Sequence, residues 1–145
     1  MRIILSILIA LALHTAAAAQ GFTVTQYGPS CGPVATGEVL PQGNHSRFAF
    51  TVSNAEPRTS VMNIIGVSQQ NVPINFGYAC HLLTDVAFFQ VHQTDAAGSY
   101  TWSHSMPGGA NGFAGQAFVQ FAEITFDANN QLVVRTSNGL HMTPN

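Results

Sequence analysis

Histidine and cysteine are the residues of this chain with the widest chemical reach, and their spacing decides how much of it they can use. Beyond the first nineteen residues the histidines are His45, His81, His92, His104 and His141. A strand presents metal ligands at i, i+2 on one face and a helix at i, i+4; neither spacing occurs, so no metal site is expected. Cys31 and Cys80 lie beside turn residues, in Pro29-Ser30-Cys31-Gly32-Pro33 and Gly77-Tyr78-Ala79-Cys80. Two cysteines in an oxidising compartment have a single possible pairing, and a disulfide is expected in preference to a thiol nucleophile or a metal thiolate. His81 follows Cys80 directly, but adjacency in sequence does not place a base on a thiol.

The remaining chemistry is sparse. No G-x-S-x-G turn carries a serine nucleophile. The carboxylates Glu38, Glu56, Asp85, Asp95, Glu123 and Asp127 are isolated, with no pair suited to glycosidic cleavage. Asp95 and Asp127 each open a polar turn lacking the repeated acidic ligands of a calcium loop, so both are read as Asx caps. No catalytic residue and no cofactor is expected. Asn44-His45-Ser46 matches a glycosylation acceptor, which matters only in a glycosylating host. Tyr27 and Tyr78, near turns beside the two cysteines, are the candidate ligand-facing aromatics; their alternative role is packing over the disulfide.

The N-terminus reads as an export tag. Arg2 precedes the apolar run Ile3–Leu13, and the small residues Ala16–Ala19 suit cleavage between Ala19 and Gln20. Residues 1–19 are therefore expected to be a signal peptide, and residues 20–145 one secreted or periplasmic domain. No later segment is apolar enough to cross a bilayer, so no membrane insertion is expected after cleavage. Charged residues make up only 7% of the chain and lysine is absent. With only Arg47, Arg58 and Arg135 left after cleavage, the domain cannot neutralise a run of phosphates, which argues against nucleic acid as a partner.

What must position these residues is a set of short strands. Phe48, Phe50 and Val52 alternate with Ala49, Thr51 and Ser53, the pattern of a half-buried strand. Val61–Val67, Val86–His92, Ser99–Met106, Phe113–Phe126 and Leu132–Thr136 read the same way, with weaker signals at Phe22–Tyr27, Val34–Leu40, Val72–Phe76 and Leu140–Thr143. Turn formers separate them, and no segment keeps a helical period. The expected fold is all-β: a single antiparallel β-sandwich, immunoglobulin-like or related, with one disulfide. The expected core includes Phe48, Phe50, Val52, Ile64, Phe89, Val91, Trp102, Phe118 and Leu132.

A hairpin about Asp95–Gly98 would pair His92 with Thr101, Val91 with Trp102 and Phe89 with His104. Phe89, Val91, Tyr100 and Trp102 then share a core face, His92 and His104 fall on opposite faces, and Trp102 is a buried anchor rather than a ligand platform. Asn138-Gly139 is expected to be a type I′ turn.

In chain order, Cys31 before a first strand, Cys80 in G-x-x-C-x-L-L, an Asp-x-x-Gly turn leading to a strand with Trp102, Gly115-Gln116 with Phe118 and Gln120, and Thr136-Ser137-Asn138-Gly139-Leu140 form an ordered pattern. The pattern resembles the small secreted two-cysteine β domains of planctomycetes, myxobacteria and related environmental bacteria. The resemblance implies an all-β extracellular fold with Cys31 bonded to Cys80, and it carries no catalytic residues. The expected role is a non-enzymatic module engaging a glycan or protein of the cell envelope or extracellular matrix. The alternatives are a carbohydrate-binding domain and, less favoured, a small exported hydrolase.

Overall fold

The computed structural model describes residues 21–43, 45–107 and 115–145. The expected signal peptide, its Ala19–Gln20 cleavage site, Asn44 and the Phe113 end of one expected strand lie outside them. Eleven strands are described: β1 Phe22–Tyr27, β2 Val34–Gln42, β3 His45–Ser53, β4 Ser60–Gly66, β5 Gln69–Asn75, β6 Ala79–Thr84, β7 Phe88–Gln93, β8 Tyr100–Pro107, β9 Ala117–Phe126, β10 Leu132–Thr136 and β11 Gly139–Pro144. All pairings are antiparallel. One sheet has the order β1-β11-β9-β4-β7, with β10 also on β9; a second has the order β2-β3-β8; β5 and β6 form a separate hairpin.

The two larger sheets face each other as a sandwich. Their inner faces meet in a core of Phe48, Phe50 and Val52 from β3, Val61 from β4, Val119 and Phe121 from β9, and Leu140 and Met142 from β11. Alternation puts every second side chain of these strands inward, which is why β3 could be read from sequence. The β5–β6 hairpin lies on the outer face as a third layer. There the buried Gln120 amide of β9 accepts from Leu83 N–H (2.9 Å) and donates to His81 O (2.9 Å) and Ser137 O (2.8 Å).

Three expectations are corrected. The Asp95–Gly98 turn does not close a hairpin: β7 pairs with β4 and β8 with β3, so the turn carries the chain from one sheet to the other. The cause is the 54–59 segment, which holds the turn from the side. Thr94 Oγ1 donates to Glu56 O (2.7 Å) and accepts from Thr59 N–H (2.9 Å), and Ala55 N–H donates to Gly98 O (3.1 Å). With the pairing changed, the faces of β7 reverse. Phe89 and Val91 point outward and are more than half exposed, as the expected core residue Leu132 also is in part. Gln90 and His92 turn toward β8 instead: Gln90 Oε1 accepts from Trp102 Nε1 (2.9 Å), and His92 stacks on Tyr100. His104 stacks on Trp102, so the two histidines face the same inter-sheet region. Trp102 is half-buried against the core, stacked on Phe50.

The third correction concerns Asn138-Gly139, which is not a type I′ turn; neither residue has positive φ. β10 and β11 follow one edge of β9 in succession, and Ser137-Asn138 is the step between them. The Asn138 side chain acts there as an extra peptide group. Its Oδ1 accepts from Ala35 N–H (2.9 Å) and its Nδ2 donates to Ala35 O (3.0 Å), which docks β2 against the first sheet. A neighbouring glycine is needed because the Tyr27 ring occupies the space that a Cβ at Gly139 would fill.

Candidate functional site at the β5–β6 tip

The hairpin tip is the sequence Phe76-Gly77-Tyr78, with Gly77 at φ +83°, a conformation that side-chain-bearing residues rarely adopt. That bend leaves Phe76 and Tyr78 on either side of the turn, each 49% exposed. Two aromatic rings in solvent on so short a segment need a support, and the layers below supply it.

Cys80, two residues past Tyr78, is bonded to Cys31 with a Cα–Cα distance of 5.6 Å. The bridge ties β6 to the segment between β1 and β2. In the chain-entropy account, a bridge spanning this much chain stabilises the fold by about 4 kcal/mol. Thr136 N–H donates to Cys31 Sγ (3.1 Å) and Cys31 N–H to Thr136 O (2.9 Å), fixing the same region to β10. Val134 N–H donates to Phe76 O (2.9 Å), so the tip itself rests on β10.

Beneath Tyr78 lies Arg135, its guanidinium carbon 5.9 Å from the ring centroid, within cation–π range. Arg135 is opposite Glu123 in the β9–β10 register. Its Nε and Nη2 reach Glu123 Oε2 at 2.9 and 2.7 Å, and its Nη2 also reaches Glu56 Oε1 at 3.2 Å. Glu123 is fully buried, and its Oε1 accepts from Glu56 N–H (2.6 Å). Burial works against the charge on Arg135, but the Glu123 hydrogen bond and the charges of Glu123 and Glu56 outweigh it, so its pKa is raised further. The held cation gives the exposed ring an attraction of about 0.5–1 kcal/mol from one side.

The two tyrosines named from sequence are thus placed differently. Tyr78 is exposed on the tip. Tyr27 is half-buried at the edge of the hairpin, its hydroxyl donating to Leu83 O (2.8 Å) and its ring edge-on to Phe118. Burial and the charge of Asp85 push its phenol up to about 12. Its place is that of a clamp between β1 and β6. Neither tyrosine's ring was read from sequence as resting on an arginine.

Phe76, Arg135, Glu123 and Glu56 were missed in the sequence reading. A signal for two of them existed: a hairpin about Asp127–Gln131 sets Phe126 opposite Leu132 and hence Glu123 opposite Arg135. Phe76 carried no signal beyond its nearness to Gly77.

A concavity of about 290 Å³ lies on the outer face of the β2-β3-β8 sheet among Thr36, Gly37, Glu38, Ala49 and Thr51. Thr36, Thr51 and Thr101 form one row across it, with Thr51 Oγ1 2.8 Å from Thr101 Oγ1. Among the described residues, no three His, Cys, Asp or Glu side chains converge as a metal site would require. The Asp85 carboxylate, held below its usual range by the Ser68 and Val67 backbone N–H groups, serves the β4–β5 connection. Comparison with known proteins yields no match to any family, to any curated protein or to any solved structure.

Proposed function

We propose that the protein is a non-enzymatic exported module that binds a component of the cell envelope or extracellular matrix through the Phe76–Tyr78 tip. The carrying observation is that the tip bearing this exposed aromatic pair is tied to β10 through Phe76 O and to the segment before β2 through the Cys31–Cys80 bridge, with Arg135 within cation–π range of Tyr78. A rigid aromatic surface loses little conformational freedom on binding, whereas a mobile one would lose much of its gain to ordering. Export is supported by the leader-like first nineteen residues and by the Cys31–Cys80 bond, which persists in oxidising compartments. Among the described residues, no helix is long and apolar enough to cross a membrane.

A second reading, a carbohydrate-binding domain, is favoured by the geometry of Tyr78. With Arg135 on one side of its ring, the exposed side is available to the apolar face of a sugar. A glycan array run beside binding to isolated envelope and matrix fractions tests both readings. Saturable binding lost in Tyr78→Ala and kept in Tyr27→Phe is the expected result, and glycan spots alone would select the second reading. Binding that survives Tyr78→Ala, or no binding in any format, would overturn the assignment of the tip.

A further inference from the structure

The two ends of the six-stranded sheet are treated differently. β1 lies beside β2, where the sandwich closes. β7 has β4 on one side and, among the described strands, none on the other. Thr94 N–H donates to Thr59 O (2.9 Å), next to the paired residues of β4 and β7. Antiparallel bonding alternates along a strand. Phe88, Gln90 and His92 therefore direct their backbone groups to β4, and Phe89 and Val91 direct theirs to the open edge.

Edge strands are usually protected by charge, proline or a bulge. β2 carries Glu38 and Pro41, β10 carries Arg135, and β8 ends in Pro107. Val86 to Thr94 contains no charged residue and no proline. The neighbourhood is also apolar: Val67, Val86, Phe88, Phe89 and Val91 are each about half exposed or more. Phe89 and Val91 lie on the outward face of β7 and Phe88 on the opposite one, so on the order of 450 Å² of apolar surface flanks the open edge on its two sides, an amount that often marks an interaction site.

We infer that β7 pairs antiparallel with β7 of a second copy of this chain, about a two-fold axis through Gln90. In that register Phe89 lies opposite the partner's Val91 and Val91 opposite the partner's Phe89, on the same outward face. These are the residues with free backbone groups, so the pairing adds roughly four hydrogen bonds. The edge is its own complement, as a two-fold interface requires. Counted on both copies, the apolar surface available to the interface is roughly 900 Å², close to the lower bound for a specific interface. The pairing turns two open sheets into one continuous sheet. It does not depend on the proposed binding role, because β7 and β10 lie on opposite sides of β9.

Size-exclusion chromatography with light scattering tests the pairing on purified protein at tens of micromolar. The expected mass is twice that of the monomer. Val91→Lys places a charge in the pairing face and halves the apparent mass, with the far-UV spectrum unchanged. Ser103→Lys, the same charge on the edge strand of the other sheet, leaves the dimer intact. A wild-type monomer, or a dimer that persists in Val91→Lys, would overturn the inference. Should Val91→Lys not fold, hydrogen exchange on the wild type decides: the Phe89 and Val91 amides are protected at high concentration and lose protection on dilution, whereas concentration-independent exchange overturns the pairing.

Discussion

The turns that follow β7 and β9 share one hydrogen-bond plan. In the first, Asp95 N–H donates to Ser99 O (2.8 Å), Gly98 N–H to Asp95 O (3.2 Å), and Asp95 Oδ1 accepts from Ala97 and Ser99 N–H. In the second, Asp127 N–H donates to Gln131 O (3.0 Å), Asn130 N–H to Asp127 O (2.9 Å), and Asp127 Oδ1 accepts from Asn129 and Gln131 N–H. Even the positive φ falls at the same position, Gly98 in one and Asn130 in the other. Yet the Asp127 turn closes a hairpin, and the Asp95 turn passes the chain between sheets. An Asx cap thus fixes the turn but not the strand partner that follows it. Distant groups decide that partner. Around Asp95 they are the 54–59 segment and Thr94; around Asp127 the cross-strand pair Glu123–Arg135 reinforces the local choice.

That contrast can be broken at both ends. The largest effect is expected from Arg135→Ala, which leaves Glu123 buried without its cation and costs about 3 kcal/mol in denaturant unfolding. It should also weaken any Tyr78-dependent binding. Thr94→Val strips two hydrogen-bond partners from a buried site and is expected to cost about 2 kcal/mol. Its counterpart before the other turn, the exposed Phe126, should tolerate Ala within about 0.5 kcal/mol. A Thr94→Val loss as small as that of Phe126→Ala would show that the 54–59 segment does not govern the crossing.

Because the caps themselves are alike, Asp95→Ala and Asp127→Ala should each cost about 1 kcal/mol and agree closely in parallel melts. A large disparity would mean that the shared plan hides different energetics. A further effect, confined to alkaline pH, concerns a long-range tie outside both turns, the Tyr27 hydroxyl on Leu83. Its phenol is raised to about 12 in the fold against about 10 when unfolded, so below pH 10 it adds no pH dependence. Between pH 10 and about 12 the unfolded chain loses the proton first, and stability falls as pH rises. Melts of Tyr27→Phe over that window should show a shallower fall than the wild type.

The same division explains what could be read from sequence. The alternation of Phe48, Phe50 and Val52 reports one buried face directly, and the Asp95 and Asp127 caps follow from chemistry within five residues. The disulfide followed from a count of two. The face of β7 could not be read, because Phe89 and Gln90 exchange sides when the partner strand changes, and β4 lies more than twenty residues earlier. β6 was overlooked because Ala79–Thr84 lacks clean alternation; it lies on the outer face of another sheet, where Gln120 meets its backbone. Asn138-Gly139 misled for a related reason: the Asn138 amide is spent on Ala35, a residue that no local pattern connects to it. Of the tip, Tyr78 was visible, and the arginine beneath it required the register of a different hairpin.

The pairing of β1 with β11 also bears on how such a chain comes to be folded. Phe22 lies opposite Pro144, and the central strand β9 joins β4, β10 and β11 from the last third of the sequence. Contacts this distant form slowly and only once both segments exist. β1 therefore cannot take its place until residues 139–144 are present, whereas β2, β3 and β8 can pair from residues 34–107 alone. The order of the strands thus divides the fold in time: one sheet can assemble from the middle of the chain, and the other waits for β9 and β11.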